Sequence, residues 1–141
     1  MMNRRPPGSS AGDRGAAAVE FALLLPVLLL IVFGIIDFGR ALNAQITLTQ
    51  AAREGARLDA LGQPNVVSRA QAAATGMSGV TVTEVYACQQ GDGQKNLDAN
   101  VKTSYSFSFI TPIGAIAGFF GGSGFGSPIT LTAQGVMPCE T

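Results

Sequence analysis

The sequence predicts an α+β protein: one long N-terminal helix, a short second helix and a small antiparallel three-stranded sheet. Three observations carry this expectation. Residues Ala16 to Ile36 form an almost unbroken apolar run. Small and apolar residues then continue at three- and four-residue spacing, from Ala41 through Ala44, Leu48, Ala51, Ala52 and Gly55 to Leu58. After Gly76 the period changes to two in three separate stretches.

The elements follow in chain order. Residues 1–15 make a basic leader in which Arg, Pro, Gly and Ser show no hydrophobic period, so residues 1–14 are expected to be disordered. The run from Ala16 to Ile36 is about 21 residues, or roughly 30 Å as a helix, which matches a hydrocarbon core. A transmembrane helix over 16–38 follows, with Pro26 placed to kink it and Gly34 a second soft point. Asp37 and Arg40 mark its far interface. The small-residue face carries the same helix outside the membrane over 39–61, until Gly62 and the Gln63-Pro64 step end it.

Residues 62–141 then have the size of a small α+β head. Val66 to Thr75 spaces alanines as a short helix does, ending at Gly76. Val80, Val82 and Val85 among Thr81, Thr83 and Glu84 read as a strand reaching Cys88. Gln89 to Asn100 reads as a polar turn. Val101 to Ile110 alternates, with Tyr105, Phe107 and Phe109 opposite Ser104, Ser106 and Ser108. Gly114 to Ser127 is a glycine-rich loop with Phe119, Phe120 and Phe125, and Ile129 to Val136 makes the last strand. Three strands in meander order against a helix complete the head.

Composition excludes several functions. The chain has no His and no Trp, which removes the commonest general base and metal ligand. The basic leader holds Arg4, Arg5 and Arg14 against Asp13, and the rest is mildly acidic, so there is no concentrated basic face for nucleic acid. Serines and threonines have no His to activate them and the carboxylates are scattered, so no enzyme and no cofactor are expected. The glycine-rich loop lacks the Lys and Ser/Thr of a phosphate loop. It reads as a loop tip, or as a docking patch if its phenylalanines are exposed. Asp92 to Asp98 spaces oxygen side chains as a calcium loop does, but Leu97 and Thr103 stand where Gly and Glu belong, so a plain turn is expected and no metal.

The functional signal lies at Gly15-Ala16-Ala17-Ala18-Val19-Glu20-Phe21. One carboxylate sits just inside a membrane-length segment, where at mid-bilayer it costs about 2.5–3.5 kcal/mol and less towards the edge. A small residue followed by a long apolar helix with glutamate at its fifth position resembles the type IV prepilin signal. That resemblance makes Gly15 and Ala16 the processing junction, with Glu20 and Phe21 at the fifth and sixth places. Cleavage leaves an amine on Ala16, which Glu20 of a neighbouring subunit would pair; pairing offsets much of the cost of each charge in lipid. The plainer reading puts Glu20 at headgroup level or against the helix N-terminal dipole.

The wider pattern extends the resemblance. Arg14 to Leu23, the Leu25-Pro26 step, Asp37-Phe38-Gly39-Arg40 and Ala51-Ala52-Arg53-Glu54-Gly55-Ala56-Arg57 are together similar to the TadE-like family, pilin-like components of the tight-adherence (Flp) pilus machinery. The likeness is specific over about residues 14–58. It implies a single-pass protein of a bacterial inner or plasma membrane, with a cytoplasmic N-terminus and an exported head. The arginines of the leader agree with that orientation. It further implies a prepilin peptidase as processing enzyme, the lipid bilayer as surroundings, and other pilus-assembly subunits as partners: Flp-type pilin, TadF/TadG-like proteins and platform proteins.

Two more sets of residues stand out. Arg53 and Arg57 lie one turn apart on one helix face, and Gly55 costs roughly 1 kcal/mol against alanine in a helix interior. Ala51 and Gly55 therefore suggest a close contact, with another helix or with this chain's own strands. Cys88 and Cys139 both lie beside predicted strands, which favours a disulfide over two unrelated buried thiols. Closing that loop stabilises by about 4 kcal/mol on the chain-entropy model.

Two other readings stay open. The leader arginines, the core Phe21 to Ile36 and Gly39-Arg40-Ala41 also suit a secretory signal peptide cleaved after Ala41, leaving a soluble secreted binding domain. An uncleaved anchor for a surface-exposed head is the third reading. The unbroken helical period from Ala41 to Leu58 and the presence of Glu20 weigh against the signal peptide.

Overall fold

A computed structural model describes residues 11–88, 97–112, 114–115, 118 and 126–139, with side chains from Gly15 onward. Its elements are α1 (Ala11–Ala60), α2 (Val66–Ala73), β1 (Thr81–Tyr86), β2 (Asp98–Phe107) and β3 (Ile129–Pro138). The strands form one antiparallel sheet in the order β1-β2-β3. This is the expected α+β arrangement.

Helix α1 runs through Pro26 and Gly34 as a single helical element. It is already helical at Ala11, the first described residue, inside the stretch expected to be disordered up to residue 14. Once a helix is nucleated, each further residue adds a backbone bond at low entropic cost, so the apolar segment propagates its helix back into the leader. Its other end is capped by geometry that the sequence announced. Gly62 adopts φ +65°, its N–H donates to the Asp59 carbonyl at 2.9 Å, and Gln63 N–H donates to the Leu58 carbonyl at 2.9 Å. That is a Schellman motif, and glycine occupies the left-handed position without a Cβ penalty.

The helix has two environments along its length. From Gly15 to Ile36 its side chains are exposed or half-buried, including Val19, Phe21, Leu24, Leu28 and Ile31. From Ala44 onward one face is buried against the sheet: Leu48, Ala51, Ala52, Gly55, Ala56 and Leu58. The inward faces of α2 and the strands complete the core with Val66, Ala70, Val80, Val82 and Val101, and Leu131, Ala133 and Met137 pack around it. Alanine and glycine on α1 allow backbone and sheet to approach. A Cβ on Gly55 would lie 3.0 Å from Val101 Cγ1 and 3.1 Å from Ala70 Cβ.

The strands depart from their expected bounds in instructive ways. β1 stops at Tyr86, short of Cys88, because its register with β2 shifts between Glu84 and Tyr86. Val85 faces outward with Thr81 and Thr83, as strict alternation from the buried Val80 and Val82 requires, so the three valines do not share one face. β2 starts at Asp98, so Asp98 to Asn100 are paired with β3 and not part of a turn; β2 ends at Phe107 and not at Ile110. β3 continues past Val136 to Pro138. Residues 89–96, which include most of the expected polar turn, and most of the Gly114–Ser127 loop with its three phenylalanines lie outside the described residues.

Candidate functional site

The proposed junction lies on α1 well before the head begins. Gly15, Ala16, Glu20 and Phe21 are all exposed, and the Glu20 carboxylate has no hydrogen-bond or ion-pair partner among the described residues. Gly15 has open space where a Cβ would stand. Pro26 is half-buried inside the helix. The segment from Gly15 is long and apolar enough to cross a membrane, with a mean hydropathy of 2.8 over its best window and none of that window buried in the protein. Burying that surface in lipid is its physical solution, at about 25 cal/mol per Å² of apolar area.

Where this span ends, the head grips the helix. Asp37 is 1% exposed, although it stands on an otherwise apolar helix. Its Oδ2 accepts the Thr111 hydroxyl and the Thr111 backbone N–H, and its Oδ1 accepts the Ile110 N–H. Arg40, one turn on, donates to the same carboxylate at 3.1 Å and to the Ser108 carbonyl at 3.5 Å, and lies 5.1 Å from the centre of the Phe107 ring. Phe107 in turn meets Phe109 edge-on at 5.4 Å. A charge at the rim of a bilayer is thus removed from lipid by the strap that follows β2. Every oxygen of the group has a donor, the condition under which a buried carboxylate is tolerated.

Further up, the helix and sheet are joined through backbone atoms. Thr103 Oγ1, fully buried, donates to the Leu48 carbonyl at 3.1 Å and approaches the Ala133 carbonyl at 3.4 Å. Gln45 Nε2 donates to the Thr132 carbonyl at 2.8 Å. Gly135 on β3 sits directly against α1: a Cβ there would lie 2.5 Å from the Ala52 carbonyl carbon and 2.7 Å from the Arg53 nitrogen.

The second set of sequence-singled residues divides between two faces. Ala51 and Gly55 point into this chain's own core, while Arg53 and Arg57 are exposed, Arg57 lying 3.6 Å from Glu54. Both contacts of Gly55 therefore come from Val101 and Ala70 of the head. Cys88 and Cys139 are joined as a disulfide across a sequence separation of 51. The Cys139 N–H also donates to the Leu97 carbonyl at 2.8 Å, so the end of β3 is tied to the start of β2 and, through Cys88, to the segment after β1.

Beside this staple lies a group that the sequence did not single out. Asp59, in the last turn of α1, is buried and accepts the Cys88 backbone N–H at 3.2 Å. Burial pushes its carboxyl above the ordinary range, with the Cys88 bond opposing. Glu84 is raised as well, first by desolvation and then by the Asp59 charge. A raised folded-state value makes the favourable contribution complete at low pH, and it is lost as pH rises through that value. Asp59→Asn keeps an acceptor for Cys88 and removes the charge. Its melting temperature should exceed that of the native chain at pH 7, and the difference should vanish on acidification; a difference independent of pH would exclude this cause.

Among the described residues no group of three or more His, Cys, Asp or Glu is placed to hold a metal. No curated protein and no solved structure matches the chain. The family model described as "TadE-like protein" matches residues 15–57, which is α1 from the proposed junction through the face that builds the head. The chain thus carries a TadE-like segment over residues 15–57, on a helix long and apolar enough to cross a membrane.

Proposed function

We propose that this protein is a TadE-like pseudopilin or minor pilin, a structural or assembly component of a tight-adherence (Flp, type IVb-like) pilus or a related secretion machinery. It works by helix packing in the membrane and is no enzyme. The observation that carries this reading is the position of Glu20: an exposed, unpaired carboxylate five residues past Gly15 on an exposed apolar helix. A prepilin peptidase cuts between Gly15 and Ala16, and the new amine pairs with Glu20 of a neighbouring subunit. The leader stays cytoplasmic and the head is exported, where the environment permits the Cys88–Cys139 bond. Partners are the Flp-type pilin, TadF/TadG-like proteins and platform proteins of the same assembly.

Both rival readings make different demands. A secreted domain released after Ala41 would lose Asp37 and Arg40, and with them every hydrogen bond they make to residues 108–111. An uncleaved anchor gives Glu20 no task. Glu20→Ala should insert normally, start at Ala16 by N-terminal sequencing, and abolish pilus assembly in the native host. Normal piliation by this variant would refute the role of the carboxylate; a soluble chain starting at Leu42 would establish the secreted domain instead.

A further inference from the structure

The clasp at Asp37 has a geometric consequence for the head. It holds residues 110 and 111 against the last turn of the membrane span, since both backbone N–H groups reach the Asp37 carboxylate within 3.4 Å. Ile110 nonetheless has a side chain 67% exposed. Ile129 is also exposed and lies at the same end of the sheet, paired with Phe107. On the helix itself Phe38 and Leu42 stay exposed beside and beyond Asp37. Leu42 stands four residues beyond Phe38, where the span ends, about 6 Å along the axis. The headgroup zone on one side of a bilayer is roughly 5–7 Å deep. All four apolar side chains therefore fall at the depth where the span leaves hydrocarbon.

We infer that this rim of the head, formed by Phe38, Leu42, Ile110 and Ile129, is seated in the interfacial layer of the bilayer, so that the sheet stands with its Phe107 end in lipid headgroups and its Leu97 end away from them. The occupant is lipid because the rim is continuous with the apolar span, whose surroundings are lipid already. The polar groups on the rim suit that depth. Arg40 carries its charge on a long stem, and Asp37 is sealed by donors. Leu97, just before β2, lies roughly 34 Å from Phe107 along the strand direction, too far to share the layer. The inference rests on the membrane span and is independent of the pilus reading.

The chain lacks tryptophan, so a single introduced indole reports its own depth. Ile110→Trp, Ile129→Trp, Leu97→Trp and Val27→Trp are made in the full chain and reconstituted into phosphatidylcholine–phosphatidylglycerol nanodiscs at one copy per disc. The discs carry phosphatidylcholine brominated near the glycerol end of the acyl chain for positions 97, 110 and 129, and near its methyl end for position 27. Val27, exposed in mid-span, is the reference for insertion, and Leu97, 85% exposed, the reference for water. Ile110→Trp and Ile129→Trp should emit to the blue of Leu97→Trp and be quenched several-fold more strongly. Quenching of Val27→Trp without quenching at 110 and 129 overturns the seated rim and leaves the anchor intact. Blue-shifted but unquenched emission at 110 means protein covers the rim, and also overturns it. No quenching at Val27 overturns the anchor and the rim together.

Discussion

Gly135→Ala should be among the most damaging single changes in the head. The added methyl would be driven into the α1 backbone at Ala52 and Arg53, whose atoms belong to a helix and have no rotamer to change. Either β3 leaves α1 or the helix bends. Overpacking a core with flexible neighbours costs about 1–3 kcal/mol, and a clash with backbone should sit at or above the top of that range. A drop of this size is visible as a loss of several degrees in the thermal unfolding of the detergent-solubilised protein. Gly39→Ala is the matched control: it lies in α1 with open space around it, and alanine favours a helix by about 1 kcal/mol over glycine. If the two substitutions behaved alike, the close approach of β3 to α1 would not be a feature of the folded protein.

Asp37→Ala should have the second large effect, and a local one. It leaves the Thr111 hydroxyl and the N–H groups of Ile110 and Thr111 without their acceptor, at a cost of roughly 1–3 kcal/mol for each donor left buried. The strap after β2 should then open while the core above it, built on Leu48, Val101 and Thr103, stays closed. Amide exchange at residues 110 and 111 should speed up by about 10- to 100-fold, with little change at Val101. Asp37→Asn retains one good acceptor and should fall between. Uniform acceleration across the sheet would instead mean that Asp37 supports the whole head.

How far the sequence foretold these features depends on distance along the chain. The helix and its sheet-facing side were legible because they repeat locally: Ala44, Leu48, Ala51, Ala52 and Gly55 mark one face by spacing alone, and that face is buried. The three strands were legible for the same reason. Their ends were not, since Asp98 to Asn100 join the sheet only through their partners Pro138, Met137 and Val136. Asp37 was recognised as the end of the span but not as a clasp, because its acceptor role depends on residues 73 and 74 positions away. Gly135 did carry a signal that went unused: a lone glycine inside a strand often marks the close approach of another backbone. Asp59 gave none, as a carboxylate in the last turn of a helix looks solvated until Cys88 is brought beside it.

One continuous helix serves as both anchor and head wall, and this sets the mechanics of the whole protein. Between the apolar turns and the turns that hold the sheet, α1 has no loop. The azimuth of the head about the span is therefore fixed by residue count, at about 100° and 1.5 Å of rise per residue. Rotation of the membrane half passes to the sheet through helix and not through a linker, and load on the sheet returns by the same route. The phase of the head about the span is written into the length of one helix.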